Sequence, residues 1–135
     1  MAGVLVQYLR EGAAKPFSTP DCDCTSWVAD WVLLQTGKDP MAFWRGKYTT
    51  RFGYLRLLRR EPDGLAGAAH QGLLSSGAVM IDPAEAQPGD VGLVVGLGSG
   101  RNVESFMAIR GNLCWIVKSA AGLVRCPEAI RAWRI

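Results

Sequence analysis

After residue 77 the hydrophobic period of the chain changes from helical to strand-like, and this change limits the fold more than any other feature. Before it, Cys24, Trp27, Val28, Trp31 and Leu34 recur at helical spacing and make one apolar face. Asp23 stands where an N-cap belongs, with a carboxylate free to accept backbone N–H groups. Gly37 followed by Asp39-Pro40 supplies the stop. The next residues predict a short helical turn over 40–44 and a loop over 45–48. A helix capped by Thr49 or Thr50 then runs to Arg60. On it Phe52, Leu55 and Leu58 are expected inward, and Arg51, Arg56, Arg59 and Arg60 mostly outward. A further helix is expected over 65–74, between Asp63-Gly64 and Ser75-Ser76-Gly77.

Beyond that point the runs are short, apolar and bounded by turns. Pro88-Gly89-Asp90 turns the chain into Val91 to Leu97, a β-branched run that reads as a buried strand. Gly98 to Arg101 is expected to turn, and Val103 to Ile109 alternates as a second strand. Leu113 to Lys118, Gly122 to Cys126 and the terminal Ala-Trp-Arg-Ile follow. Connections this short require antiparallel pairing. The expected class is therefore α+β, with N-terminal helices packed on a C-terminal antiparallel sheet. A length of 135 residues suits one domain over 1–135 with a real core.

Composition excludes several function classes. An apolar fraction of 49% and a charged fraction of 20% belong to a globular chain. A net charge of +3 lacks the concentrated basic stripe of a nucleic-acid binder, so no nucleic-acid partner is expected. The N-terminal residues lack the apolar core and cleavage site of a secretion signal. No stretch approaches the ~18 apolar residues of a bilayer span, so no membrane span is expected. Four unevenly spaced cysteines do not read as a disulfide framework, and the chain is expected to be made in the cytoplasm with reduced thiols.

The chemistry gathers at Cys22 and Cys24. A thiol at a helix N-terminus feels the positive end of the dipole, which favours the nucleophilic thiolate. Asp21 and Asp23 oppose that effect. A cysteine hydrolase also needs a general base, usually histidine. The sequence holds one, His70, in the helical half. It reads as a surface or helix-end histidine. A dyad with Cys24 would require its helix to lie over the start of the Cys24 helix.

A four-thiolate zinc site would join Cys22 and Cys24 to Cys114 and Cys126. Structural zinc sites use two close pairs, whereas eleven residues separate the second pair here. Cys114 and Cys126 read instead as small buried apolar residues, and Cys22 as a loop residue. Asp21 and Asp23 alone are too few oxygen ligands for calcium. The glycine-rich run from Gly96 to Asn102 lacks the ending of a phosphate loop and reads as a hairpin turn. No metal or cofactor is expected. The arginines read as a solvated face or as partners of neighbouring subunits. The five tryptophans are enough to anchor a core, with exposed ones pointing to protein interfaces.

Asp23-Cys24-Thr25-Ser26-Trp27-Val28 resembles the Asp-Cys-Ser-Gly-(Leu/Phe/Trp)-Val motif of NlpC-type cell-wall peptidases. Those are papain-like enzymes whose cysteine opens a helix packed on an antiparallel sheet. Gln87 to Val94 resembles the Pro-Gly-Asp opening of their first sheet strand. A small phage-tail branch is closer. It is matched by Asp23-Cys24, Ala29 to Val32, Thr36 to Pro40, Arg45 to Tyr48 and Ala132 to Arg134, in that order.

The resemblance covers nearly the whole chain from residue 16. It implies a papain-like NlpC-type fold and a place in the tail tip of siphophages or gene transfer agents. The implied location is the virion tail, and the implied partners are hub, distal tail or fibre proteins. Peptidoglycan stem peptides would be the ancestral substrate. The histidine of the active enzymes would fall at Ser105 or Phe106, and neither can act as a base. The expectation is thus a structural tail-tip component in which Cys24 is vestigial. The alternative is an active cysteine peptidase or amidase, with Cys24 attacking an amide and His70 or a water moving the proton. A cytoplasmic binding module without a tail connection is the third class.

Overall fold

The computed structural model describes residues 2–97 and 102–135. Four helices come first: α1 (Ala2–Ala14), α2 (Cys24–Thr36), α3 (Arg51–Leu58) and α4 (Gly64–Ser75). The strands are β1 (Val79–Ile81), β2 (Val91–Leu97), β3 (Val103–Arg110), β4 (Trp115–Ser119), β5 (Gly122–Cys126) and β6 (Arg131–Arg134), with a 3-10 turn at Pro83–Glu85. They form one six-stranded sheet in the order β1-β6-β2-β3-β4-β5, antiparallel throughout. The chain meanders from β2 to β5. β6 then returns to the free side of β2, and β1 closes on β6. The α+β class expected from the sequence is the one observed.

Local chemistry explains the helix ends. Asp23 caps α2 in a reciprocal box with Ser26, and Gly37 ends the helix at φ 74°, donating its N–H to the Leu33 carbonyl. A left-handed residue is needed there, and glycine adopts it without a Cβ penalty. Thr50 caps α3 by accepting the Gly53 N–H at 3.0 Å. At the far end of α1, the buried Lys118 ammonium donates to the carbonyls of Gly12 and Lys15. A cation is favoured at that negative end of the helix.

Alternation along the strands divides the sheet into two faces. Val91, Leu93, Met107, Ile109 and Trp133 meet α2 through Trp27, Val28, Trp31 and Val32, with Leu5 of α1 and Leu65 and Leu73 of α4. Val94, Ala108, Trp115, Val117 and Ala132 form a second cluster. Gly92 is required there: a Cβ would stand 2.5 Å from the Trp115 ring. Trp31 pins α2 to the sheet by donating from Nε1 to the Gly89 carbonyl at 2.9 Å.

Several expectations need correction. A helix, α1, precedes the one at Cys24, and β1 adds a strand that the sequence did not announce. Leu34 faces solvent and Val32 takes the buried position. α3 is rotated, so that Phe52 points outward and Tyr54 inward. The expected turn at 98–101 lies outside the described residues. Among the described residues, no helix is long and apolar enough to cross a membrane.

Candidate functional site

Asp23 and Cys24 sit at the first turn of α2, where backbone N–H groups lack helical partners. Asp23 Oδ1 accepts the Ser26 N–H at 2.8 Å and the Ser26 hydroxyl at 3.0 Å. Its Oδ2 accepts the Tyr48 hydroxyl at 2.8 Å. Both carboxylate oxygens are therefore engaged, and the residue is buried. Next to it Thr25 and Tyr54 share a hydroxyl–hydroxyl bond of 2.7 Å. The Tyr48 and Tyr54 rings lie 5.1 Å apart and wall this side of the helix start.

Cys24 is 3% exposed. Its sulfur packs with the cluster of Val94, Ala108, Trp115, Val117 and Ala132. α2 packs against both β3 and β4, which pair at Ile109↔Ile116 and Arg110↔Trp115. Burial pushes the thiol up from its ordinary value, and the Asp23 charge adds to that. Thr25, the Met107 amide and Arg51 pull the other way without overcoming it. The thiol is consequently neutral at neutral pH, and thiolate is the nucleophilic form. Arg51, whose charge reaches the sulfur, also donates to Glu104 on β3 at 2.7 Å. That ion pair ties α3 to the strand beside Cys24.

The one histidine is not brought to Cys24. His70 lies on α4, and its Nδ1 accepts the Trp133 indole N–H at 3.1 Å. Trp133 belongs to the cluster under the helices, and Cys24 to the other. Of the two positions where the resemblance places a histidine, Ser105 is exposed and Phe106 packs on the Cys24 cluster.

Of the other cysteines, Cys22 is the loop residue expected, whereas Cys114 and Cys126 differ from expectation. Cys22, in a loop, is fully buried among the residues under α2. Cys114 and Cys126 are half-buried rather than buried, and all four thiols are free. Among the described residues, no three His, Cys, Asp or Glu side chains converge to hold a metal. Asp21 is exposed and Asp23 is committed to its cap.

The motif residues turn out to bond to one another. Arg45 reaches Asp30 and Asp39, each at 2.6 Å. This joins the Arg-Gly-x-Tyr loop to the Ala-Asp-Trp-Val helix and to the Thr-Gly-x-Asp-Pro turn. Tyr48 of that loop reaches Asp23. Arg134 of the terminal Ala-Trp-Arg reaches Asp90 of Pro-Gly-Asp at 3.2 Å. Sequence reasoning missed Tyr54, Arg51, Glu104 and Met107 around the thiol. Tyr48 had a signal, its place in the Arg-Gly-x-Tyr loop. The others had none, because their proximity depends on the phase of α3 and on the sheet register.

A half-open, largely apolar cavity of about 50 Å³ adjoins the site, lined by Thr25, Val28, Val32, Tyr54, Leu73 and Met107 among others. It has room for little more than a small apolar group, and the hydroxyls on its walls, those of Thr25 and Tyr54, bond to each other.

A family model described as a domain of unknown function (DUF6950) matches residues 2–135. Neither the curated proteins nor the solved structures contain a match to the chain.

Proposed function

The chain belongs to the DUF6950 family, and we propose that it is a structural component of a phage or phage-like tail tip, built on an NlpC-like peptidase scaffold that has lost its chemistry. The state of Cys24 carries this reading. A sulfur placed at a helix start against an antiparallel sheet has the position of a papain-like nucleophile. Here it is buried, held neutral and adjoined by the Arg51–Glu104 ion pair, while His70 is engaged by Trp133. The ordered motifs support the phage-tail branch. The bonds among Asp23, Tyr48, Arg45, Asp30 and Asp39 make those motifs a frame that holds loops to α2. In this reading the protein is made in the host cytoplasm, enters the virion tail and contacts hub, distal tail or fibre proteins.

One observation favours the alternative of a working peptidase or amidase on stem peptides. The Met107 amide and Arg51 both act to stabilise a Cys24 thiolate. Cys24 would then attack the amide carbonyl while helix-start N–H groups hold the oxyanion; a water would carry the thiol proton to the amine that leaves as the C–N bond breaks, and a second water would hydrolyse the thioester to free Cys24.

Incubating the purified chain and Cys24→Ala with peptidoglycan stem peptides, followed by mass spectrometry, separates the two readings. Intact peptides with both proteins are expected. Turnover by the parent that disappears in Cys24→Ala would establish the enzyme instead. Proteomics of purified virions from a phage encoding the chain tests the location, and its absence from the tail fraction would end the structural reading.

A further inference from the structure

The outer side of α3 carries a stripe that the fold does not use. Phe52, Arg56, Arg59 and Arg60 fall on one face of the helix and its C-terminal end, and all four are exposed. Phe52 is 63% exposed, and Phe43 in the preceding loop is 72% exposed. A cation lies over each ring: the Arg56 guanidinium 5.0 Å from the Phe52 centre, and Lys47 Nζ 3.5 Å from that of Phe43. Between Asp39 and Glu61 the sequence holds six Lys and Arg and no acid. Arg45 and Arg51 are ion-paired. Lys47, Arg56, Arg59 and Arg60 have no carboxylate partner among the described residues. The rest of the chain holds nine basic and twelve acidic residues, so the positive charge of the molecule is concentrated here.

The helix dipole accounts for cations near the end of α3. It does not account for Phe52, whose place in the core is taken by Tyr54, nor for Phe43. An exposed phenyl ring beside unpaired guanidinium groups, as at Phe52, has the composition of an interface core, where aromatic residues and arginine are enriched.

We propose that this stripe docks an acidic segment of a partner protein. The segment offers carboxylates to Arg56, Arg59 and Arg60 and an apolar side chain to Phe52. Guanidinium groups match carboxylates through paired N–H donors. Nucleic acid fits less well. The stripe covers roughly 12 Å of helix, short for a track along phosphates. The assignment deepens the reading of the chain as an assembly component and rests on it.

The test is fluorescence anisotropy of the full chain with a synthetic peptide of alternating glutamate and leucine, and with a short DNA duplex of equal net charge. Arg56→Glu with Arg59→Glu should weaken peptide binding about tenfold or more, and Phe52→Ser about threefold. Arg10→Glu with Arg125→Glu, off the stripe, should change it less than about twofold. Equal losses from the off-stripe pair, unchanged binding in Phe52→Ser, or tighter binding of the duplex than of the peptide would each overturn the proposal. Circular dichroism confirms that the variants fold. Hydrolysis of stem peptides would sink the structural reading and leave the anisotropy result standing, so the two failures are distinguishable.

Discussion

Asp23 holds the start of α2 with one oxygen and Tyr48 with the other, so its loss should be felt twice. Asp23→Ala removes a cap worth about 0.5–2 kcal/mol. It also leaves the Tyr48 hydroxyl without its acceptor, at about 1–3 kcal/mol. A total loss of about 2–4 kcal/mol is expected in urea unfolding. Tyr48→Phe keeps the cap and should cost less, about 1.5–3 kcal/mol. Equal midpoints for Asp23→Ala and the parent would mean that the helix start is not held this way. Thiol reactivity follows from the same local environments. In the native protein Cys114 and Cys126 are half-buried, whereas Cys22 and Cys24 are buried. Iodoacetamide at neutral pH should label the first two, and mass spectrometry should find Cys24 modified after denaturant is added. Labelling of Cys24 first, well below its ordinary titration near ~8.5, would identify an activated nucleophile.

Helices in this fold are placed by contacts that a propensity scale does not contain, and glycines show where. Gly72 of α4 crosses the loop at Pro40 so closely that a Cβ would lie 2.0 Å from the Pro40 carbonyl oxygen. Backbone cannot move aside as a side chain does. Gly72→Ala should therefore destabilise by about 1–3 kcal/mol or more, although alanine is the better helix former. Gly3 of α1 has nothing within 4 Å of its Cβ position, and Gly3→Ala should be neutral or stabilise by up to about 1 kcal/mol. Thermal unfolding of the two variants decides this, and a gain at Gly72 would contradict the crossing.

The same dependence on contacts explains what the sequence made legible. α2 was readable because Asp23, Gly37 and a run of buried residues agree at every level. The strands from β2 to β6 were readable because β-branched runs alternate with turn residues. α1 was not, since adjacent Val4, Leu5 and Val6 suit a strand as well as a helix. β1 is three residues long with Val79 and Met80 exposed, and it exists because β6 returns beside it. The phase of α3 is not legible in the sequence, where Phe52 and Tyr54 are both aromatic. What selects Tyr54 is a bond to Thr25 on another helix. Cys24 was legible as a candidate from its cap. Its confinement was not, because the residues that bury it come from four strands and meet it only through the sheet register.

Taken as a whole, the molecule should be limited by alkali. Burial raises the pKa of Cys24 on α2, and of Tyr8, Tyr48 and Tyr54 on three other segments. Each group loses its proton less readily in the folded state than in the unfolded chain. For such groups the stabilising contribution is complete below the unfolded pKa and is lost as pH rises toward the folded one. Stability should hold from neutrality to about pH 8.5, where unfolded cysteine begins to ionise. It should then fall, and fall faster near about pH 10, where unfolded tyrosine joins. Urea midpoints measured across that range give the slope directly. Cys24→Ala should flatten the first part of the decline and leave the second. Tyr48→Phe should reduce the second and leave the first. A parent protein whose midpoint rises between about pH 8.5 and 10 would mean that the thiol ionises more easily folded than unfolded. That is the electrostatics of a working nucleophile, and it would overturn the account of Cys24 as a buried relic.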